Sequence, residues 1–337
     1  MTEPFRAVVD MHSRRFDEIF STSDQARLRR TVEVVWGHDE PMPPLEAAEA
    51  LEDAEILICS RWRYGELRGR FPRLRAIIDV GGRLPGGLDY DEALSRGVHV
   101  LTAAPAFARQ VAEMALGLAL ASCREIAVGD RAMRAGNERY LHEGNETTFL
   151  LFDKPIGIIG YGGIAQALHP LLRPFGGAVR AYDPWLGDGY LRSCGVEPVG
   201  LRRLLSESKV IFVLATPSSE NRAMLDRELL ELIAPDAVLL LISRAHVVDF
   251  EALTELLAAG RFRAGIDVFP EEPLPADHPI RAVDGAVLSA HRAGSVREGM
   301  WELGAMVVDD LEMLVRGLPP RRLQAAAREL VTRITTA

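Results

Sequence analysis

Residues Pro155–Ala165 read Pro-Ile-Gly-Ile-Ile-Gly-Tyr-Gly-Gly-Ile-Ala. An apolar run, Ile156 to Ile159, enters Gly160-Tyr161-Gly162-Gly163-Ile164-Ala165, and apolar residues then recur at helical spacing at Ile164, Leu168, Leu171 and Leu172. Strand, tight glycine turn and helix in that order are the layout of a dinucleotide-binding turn, G-x-G-x-x-G/A. Gly160 permits the turn, Gly162 lets the backbone approach a pyrophosphate, and Ala165 is small enough for the helix to pack on the strand. The helix start at Gly163 and Ile164 offers free N–H groups and a positive dipole end to phosphates. A second apolar strand, Ala178–Tyr182, ends at Asp183, where an acid meets the adenosine ribose hydroxyls. An acid there favours NAD, because it repels the additional phosphate of NADP. Pro170 falls inside the expected helix and should kink it or cost it a hydrogen bond. Trp185 reads better as a packed surface aromatic than as a cover for the adenine.

The bulk numbers set limits around this turn. A chain of 337 residues suggests two domains of ordinary size, and 48% hydrophobic with 26% charged residues suits a globular protein with ample core. The net charge of −9 argues against non-specific nucleic-acid binding, so a small anionic ligand needs a locally basic site. Cys59, Cys123 and Cys194 are widely spaced with no metal-ligand pattern, and are expected to be reduced core thiols of a cytoplasmic protein without a metal. Ala7–Val9 is too short and too soon closed by Asp10 to be a signal peptide. No stretch approaches the roughly 20 apolar residues of a membrane span.

The first hundred residues alternate strand and helix: strands over Arg6–Asp10, Thr31–Trp36, Glu55–Ser60, Leu74–Asp79 and Val98–Leu101, with helical segments over Phe16–Leu28 and Leu45–Leu51. Continuous apolar strands separated by helices imply parallel sheet covered on both faces. Ligands of such sheets sit beyond the carboxyl ends of the strands. There Val80-Gly81-Gly82-Arg83-Leu84-Pro85-Gly86-Gly87 follows a strand; its backbone N–H groups are candidates to hold an anion, with Arg83 adding charge. A long helix is expected from Ala108. After Asp183 the alternation resumes, with strands over Val210–Leu214, Ala237–Ile242, Phe262–Val268 and Ala286–Ser289. A last long helix spans Val296–Val315, and Arg321–Ala337 reads as a charged amphipathic helix or tail.

Three polar groups fall at carboxyl ends of these later strands or just past them: Arg244, Glu272 and His291. Singly each has a plain structural explanation. Together they suit reduction of a 2-oxo acid. That reaction needs a proton donor at the carbonyl oxygen, and His titrates nearest neutrality. A carboxylate on the other ring nitrogen fixes the tautomer, and a guanidinium grips a carboxylate at two points.

Here the chain resembles the D-isomer-specific 2-hydroxyacid dehydrogenases. The resemblance rests on Gly157-Ile158-Ile159-Gly160-Tyr161-Gly162-Gly163-Ile164, Tyr182-Asp183-Pro184, Ser243-Arg244-Ala245, Gly265-Ile266-Asp267-Val268-Phe269-Pro270-Glu271-Glu272-Pro273-Leu274 and Ser289-Ala290-His291. It implies His291 as acid/base, Glu272 as its orienting partner and Arg244 as substrate anchor. It implies that Asp267 contacts the nicotinamide carboxamide, that Thr216 and Pro217 line the cofactor, and that Gly81–Arg83 binds the substrate carboxylate. Ile242 and Ser243, before Arg244, join the cofactor-binding candidates. The implied architecture is α/β, with two doubly wound parallel-sheet domains and an active-site cleft between them. A discontinuous flavodoxin-like substrate domain takes 1–105 plus 295–337, and a Rossmann NAD-binding domain takes 106–294. A homodimer is implied as well.

The substrate loop, Gly82-Arg83-Leu84-Pro85-Gly86-Gly87, departs from the common family pattern, as does Arg292 beside His291. Arg83, Arg292 and Arg244 suggest a site cationic enough for a second carboxylate, a phosphate or a phosphonate on the substrate. The expected function is thus NAD-dependent interconversion of a 2-oxo acid and a D-2-hydroxy acid. The rivals are an NAD(H)-sensing corepressor-like protein and a formate- or phosphite-type dehydrogenase on the same scaffold.

Overall fold

The computed structural model describes residues 4–11, 14–40, 42–43, 49–331 and 333. The chain divides into two compact units, 1–107 with 295–337, and 108–294. In the first, β1 (Phe5–Asp10), β2 (Val32–Trp36), β3 (Ile56–Cys59), β4 (Ala76–Asp79) and β5 (His99–Thr102) form a parallel sheet in the order β5-β4-β3-β1-β2. The central strands carry apolar runs, Ala7-Val8-Val9, Ile56–Cys59 and Ala76-Ile77-Ile78, because both faces are covered there, while the edge strand β2 exposes Glu33. Alternation along the pleat then sorts the side chains. Ala7, Val9, Ile56, Ile58 and Ile78 pack with Leu303, Val307 and Leu311 of the helix Arg297–Leu314. Val8, Leu57, Ile77 and Val100 pack on the other face with Trp62 and Phe71. Gly304 lets the long helix meet the chain at Ile19, whose carbonyl oxygen would lie 2.1 Å from a Cβ at that position.

The second unit holds a seven-stranded, all-parallel sheet. Its strands are β6 (Ile156–Ile159), β7 (Val179–Tyr182), β8 (Glu197–Pro198), β9 (Val210–Val213), β10 (Val238–Leu241), β11 (Arg263–Ile266) and β12 (Ala286–Leu288). They lie in the order β12-β11-β10-β9-β6-β7-β8. Strand order reverses direction between β6 and β9, so the glycine turn after β6 opens at the switch point where such sheets bind ligands. The helix Ala108–Cys123 buries Val111, Ala112, Ala115, Leu118 and Ala119, and Gly265 gives it room: a Cβ there would lie 3.1 Å from Leu118 Cβ. The strand–helix alternation that the sequence predicts is therefore present in both units.

Several expectations need correction. The segment Phe16–Leu28 is two helices, Phe16–Ile19 and Thr22–Thr31, because the backbone turns extended at Phe20 and Ser21 then caps the second by accepting the Asp24 N–H. Most of the helix expected over 45–51 lies outside the described residues, with 49–52 helical. The segment after Arg321 contains a short strand, Gln324–Ala325, antiparallel to β5, followed by the helix Arg328–Val331. The two-residue strand β8 had no signal in the sequence. The helix Gly163–Leu172 carries Pro170 inside it, as expected, without that residue's hydrogen bond, and passes into a 3-10 turn, Arg173–Phe175. Cys59 and Cys123 are buried as expected, but Cys194 is only half-buried. Among the described residues no helix is long and apolar enough to cross a membrane.

Candidate active site

The glycine turn is built as its sequence demands. Gly160 has φ +88°, and a Cβ there would lie 2.5 Å from Ala215 Cα, so only glycine lets β6 and the end of β9 approach this closely. Its N–H donates to Tyr182 O at 2.9 Å, tying the turn to β7. Beside Gly162 and Gly163 no protein atom lies within 4 Å of where a side chain would start. Gly162 caps the helix Gly163–Leu172 without a side-chain bond, and the helix's first N–H groups have no intrahelical acceptor. Ala165 is fully buried. Tyr161, in the turn itself, is pinned from behind: its hydroxyl is 2.7 Å from Nδ1 of the buried His169. Burial and then Arg173 lower the His169 pKa, which favours the neutral imidazole in this pair.

Asp183 follows β7. Its Oδ2 accepts the Tyr161 N–H and its Oδ1 the Trp185 N–H, both at 2.8 Å. The acid is thus oriented by the glycine turn, and Trp185 contributes its backbone to that grip. Thr216 is exposed and Pro217 half-buried after β9. Asn221, which sequence reasoning missed, closes their loop: its amide donates to Thr216 O at 2.8 Å and its oxygen accepts Ser218 N at 2.8 Å. A Ser-x-x-Asn spacing after a strand was the available signal.

Ile242 and Ser243 lie at the end of β10, where both are buried; Arg244 is exposed with Nη1 2.7 Å from Ser243 O. Glu272 and His291 come together across 19 residues: Glu272 Oε2 is 2.6 Å from His291 Nδ1, and Glu272 Oε1 accepts Phe269 N at 3.0 Å. Burial opposes ionisation of Glu272, but the bonds from His291 and Phe269 N, with Arg244 nearby, outweigh it and hold its carboxyl below the usual value. His291 has φ +52°, a left-handed conformation that side chains rarely adopt. Asp267, expected at the nicotinamide, is buried. Its carboxylate accepts the Arg292 and Ala293 N–H groups, at 3.0 and 3.1 Å, and so fastens the turn that carries His291.

In the first unit's loop the Arg83 N–H donates to Asp79 Oδ1 at 3.1 Å, and the backbone of Gly81 and Gly82 runs beside the same carboxylate. Gly82, at φ +83°, presses on Phe107, whose ring would lie 2.6 Å from a Cβ. Burial raises the Asp79 pKa to about 7, with the adjacent loop backbone and Arg83 opposing the rise.

The second unit fits a dinucleotide. The glycine turn leaves open space at a helix start, Asp183 is fixed beside it, and of the four buried serine hydroxyls of this unit without a hydrogen-bond partner among the described residues, Ser243 Oγ and Ser289 Oγ follow the carboxyl ends of β10 and β12. Comparison agrees. Residues 116–293 match the family model described as D-isomer specific 2-hydroxyacid dehydrogenase, NAD binding domain. The D-3-phosphoglycerate dehydrogenase of Mycobacterium leprae is 30% identical over 297 residues, which are 88% of this chain and 55% of that protein. The chain thus spans about half the length of that relative. The glyoxylate reductase of Korarchaeum cryptofilum is 30% identical over 291 residues, 85% of this chain and 87% of that one. The crystal structure of a phosphoglycerate oxidoreductase from Rhizobium etli superposes with a TM-score of 0.84 at 36% identity, covering 96% of this chain and 99% of its own. On fold, motif and sequence alike, the chain belongs to the D-isomer specific 2-hydroxyacid dehydrogenase family.

Proposed function

We propose that the protein is an NAD-dependent oxidoreductase that interconverts a 2-oxo acid and a D-2-hydroxy acid. The observation that carries this reading is the 2.6 Å pair of His291 and Glu272, with Arg244 beside it, in the unit matched to an NAD-binding domain. Gly160, Gly162, Gly163 and Ile164 would hold the pyrophosphate, Asp183 the adenosine ribose, and Thr216, Pro217, Ile242, Ser243 and Asp267 the remainder of the cofactor. The bound nicotinamide supplies the hydride that is added to carbon 2 in the reductive direction and takes it back in the other.

The chain's own residues do the rest. Glu272 occupies His291 Nδ1, which leaves Nε2 as the atom that exchanges a proton with the substrate oxygen. In reduction, protonated His291 gives that proton to the 2-oxo oxygen as hydride arrives. The product is the neutral hydroxyl, and His291 is left neutral beside an ionised Glu272. Arg244 grips the substrate carboxylate and polarises the carbonyl. We assign substrate contact in that loop to Gly81, Gly82 and the Arg83 side chain, and a phosphorylated or otherwise dianionic substrate to the protein. NADH oxidation over glyoxylate, hydroxypyruvate and 3-phosphohydroxypyruvate tests the reading. Turnover of at least one, lost in His291→Ala with NADH binding retained, is expected. Binding of NADH without turnover of any 2-oxo acid would sink it in favour of a sensor.

We also propose a homodimer, and a cytoplasmic location that fits the three unpaired thiols. The helix Ile126–Ala135 buries no side chain, and the segment around it exposes Ile126, Met133, Tyr140, Leu141, Leu150 and Phe152, with Leu141 86% accessible. So many large apolar groups along one segment call for a partner surface. Light scattering on Leu141→Asp checks this. A shift toward monomer is expected, and a wild-type monomer at micromolar concentration would refute the dimer.

A further inference from the structure

The first sheet, in the order β5-β4-β3-β1-β2, has its own switch point between β1 and β3, where sheets of this order take ligands. Ser60 Oγ donates to Met11 O across it at 2.6 Å. Two arginines stand in the loops that open there, Arg63 after β3 and Arg14 after β1, and they differ in what they hold. Arg63 is committed: Nη2 and Nε lie 2.6 and 3.0 Å from Oδ2 of the fully buried Asp10 side chain. Arg14 is not. Among the described residues its guanidinium meets no carboxylate at ion-pair distance. Its hydrogen-bond acceptor is the thioether of Met300, 3.0 Å from Nη1, and its charge lies 5.7 Å from the Phe107 ring centroid.

A thioether is a weak acceptor for a group with five donors. The side chain is also half-buried, and burial lowers its pKa, with Glu18 and Asp79 only partly offsetting the effect. A cation withdrawn from water without an anion is costly unless something anionic arrives. Its position gives that arrival a meaning. Arg14, Phe107 and Gly82 lie in successive layers, so Arg14 stands one ring away from the loop that leads to Arg83.

We propose that Arg14 determines specificity by taking the second oxyanion, a terminal carboxylate or phosphate, of a 2-oxo acid substrate. This rests on the 2-hydroxyacid dehydrogenase reading above. The oxyanion displaces the Met300 thioether from the guanidinium, while Phe107 keeps the guanidinium plane in place.

The test uses two matched pairs of substrates with NADH and the full-length enzyme: 3-phosphohydroxypyruvate against hydroxypyruvate, and 2-oxoglutarate against 2-oxovalerate. The wild type should prefer the dianion in one pair, and which pair it is distinguishes phosphate from carboxylate. Arg14→Met, which keeps length and stacking, should cut that kcat/KM ratio tenfold or more, chiefly through KM. Arg14→Lys should restore part of it. A ratio that changes less than twofold in both pairs, or a lysine variant as impaired as the methionine one, overturns the proposal. So does a wild type without preference in either pair. If thermal melts show Arg14→Met unfolded, the comparison of Arg14→Lys with Arg14→Gln decides. Failure to reduce any 2-oxo acid would instead remove the underlying enzyme assignment.

Discussion

The backbone of His291 is fastened to Asp267: the His291 N–H donates to the Asp267 carbonyl oxygen at 2.8 Å, and the Asp267 carboxylate takes the next two N–H groups. His291 is held at φ +52°, a conformation that costs about 1–3 kcal/mol and persists only when its surroundings over-determine it. Asp267 supplies that determination. Asp267→Ala would leave two N–H groups without their acceptor, at about 1–3 kcal/mol for each one that stays buried. We expect a thermal midpoint several degrees lower and kcat reduced at least tenfold. Asp267→Asn, which keeps one carbonyl oxygen, should be milder in both. Circular-dichroism melts with NADH-coupled rates check this, and an unchanged kcat in the alanine variant would show that the turn holds itself.

The Glu272–His291 pair makes a prediction with a definite sign. Glu272 has its carboxyl held below the usual value, so its pairing stabilises the fold fully above the ordinary glutamate value of 4.5. That contribution is lost as pH falls through the lowered value. Glu272→Gln should therefore be less stable than the wild type above the ordinary glutamate value of 4.5, with the difference closing as pH falls below it. Urea unfolding on both sides of that value measures it. Both side chains are partly exposed, so the difference should be small. Activity should respond more. His291→Ala removes the proton donor and should lower kcat about 10²- to 10⁴-fold, and Glu272→Gln should lower it less, since the imidazole remains.

Asp183 is oriented by Tyr161 N and Trp185 N, both 2.8 Å away, so its free lone pairs have a fixed direction. Charge-assisted bonds of this kind are worth about 1.5–3 kcal/mol. Asp183→Ala should narrow the NAD-over-NADP preference about tenfold or more, mostly by weakening NAD. Fluorescence titration with both reduced cofactors measures the ratio without turnover. An unchanged ratio would remove Asp183 from the ribose.

Sequence pattern exposed the fold because the central strands are parallel and covered on both faces, so Ile56–Cys59, Ile156–Ile159, Val210–Val213 and Val238–Leu241 are apolar runs with no polar alternation to blur them. Gly160 was readable for the same kind of reason: a φ of +88° against Ala215 leaves no other residue. His291, Glu272 and Arg244 announced themselves as polar groups at strand ends. What stayed hidden depends on long-range partners. Asp267 serves amides 25 and 26 residues away. Arg14 draws its surroundings from Phe107 and from Met300, 286 residues on. Asp79 was nearer to hand. A carboxylate two residues before a glycine-rich turn can claim an N–H of that turn, but periodicity weighs it only as the last residue of a strand. The strand Gln324–Ala325 is too short to carry any period.

Asp79 makes the last prediction. Burial raises its pKa from 3.8 to about 7, so between those values the folded protein keeps a proton that the unfolded chain releases. Stability must then fall as pH rises through that window and level off above it. At 1.36 kcal/mol per unit the effect is at most about 4 kcal/mol. The charged groups that could modify it are Arg83 in the loop and Arg14 after β1, with Cys59 and Tyr90 as further titratable neighbours. Asp79→Asn cannot titrate and still offers a carbonyl oxygen to the Arg83 N–H. Its thermal midpoint should gain on the wild type steadily from about pH 4.5 to pH 7.5. Parallel melting curves would show instead that Asp79 stays ionised, held so by the Arg83 N–H and the charge of Arg83.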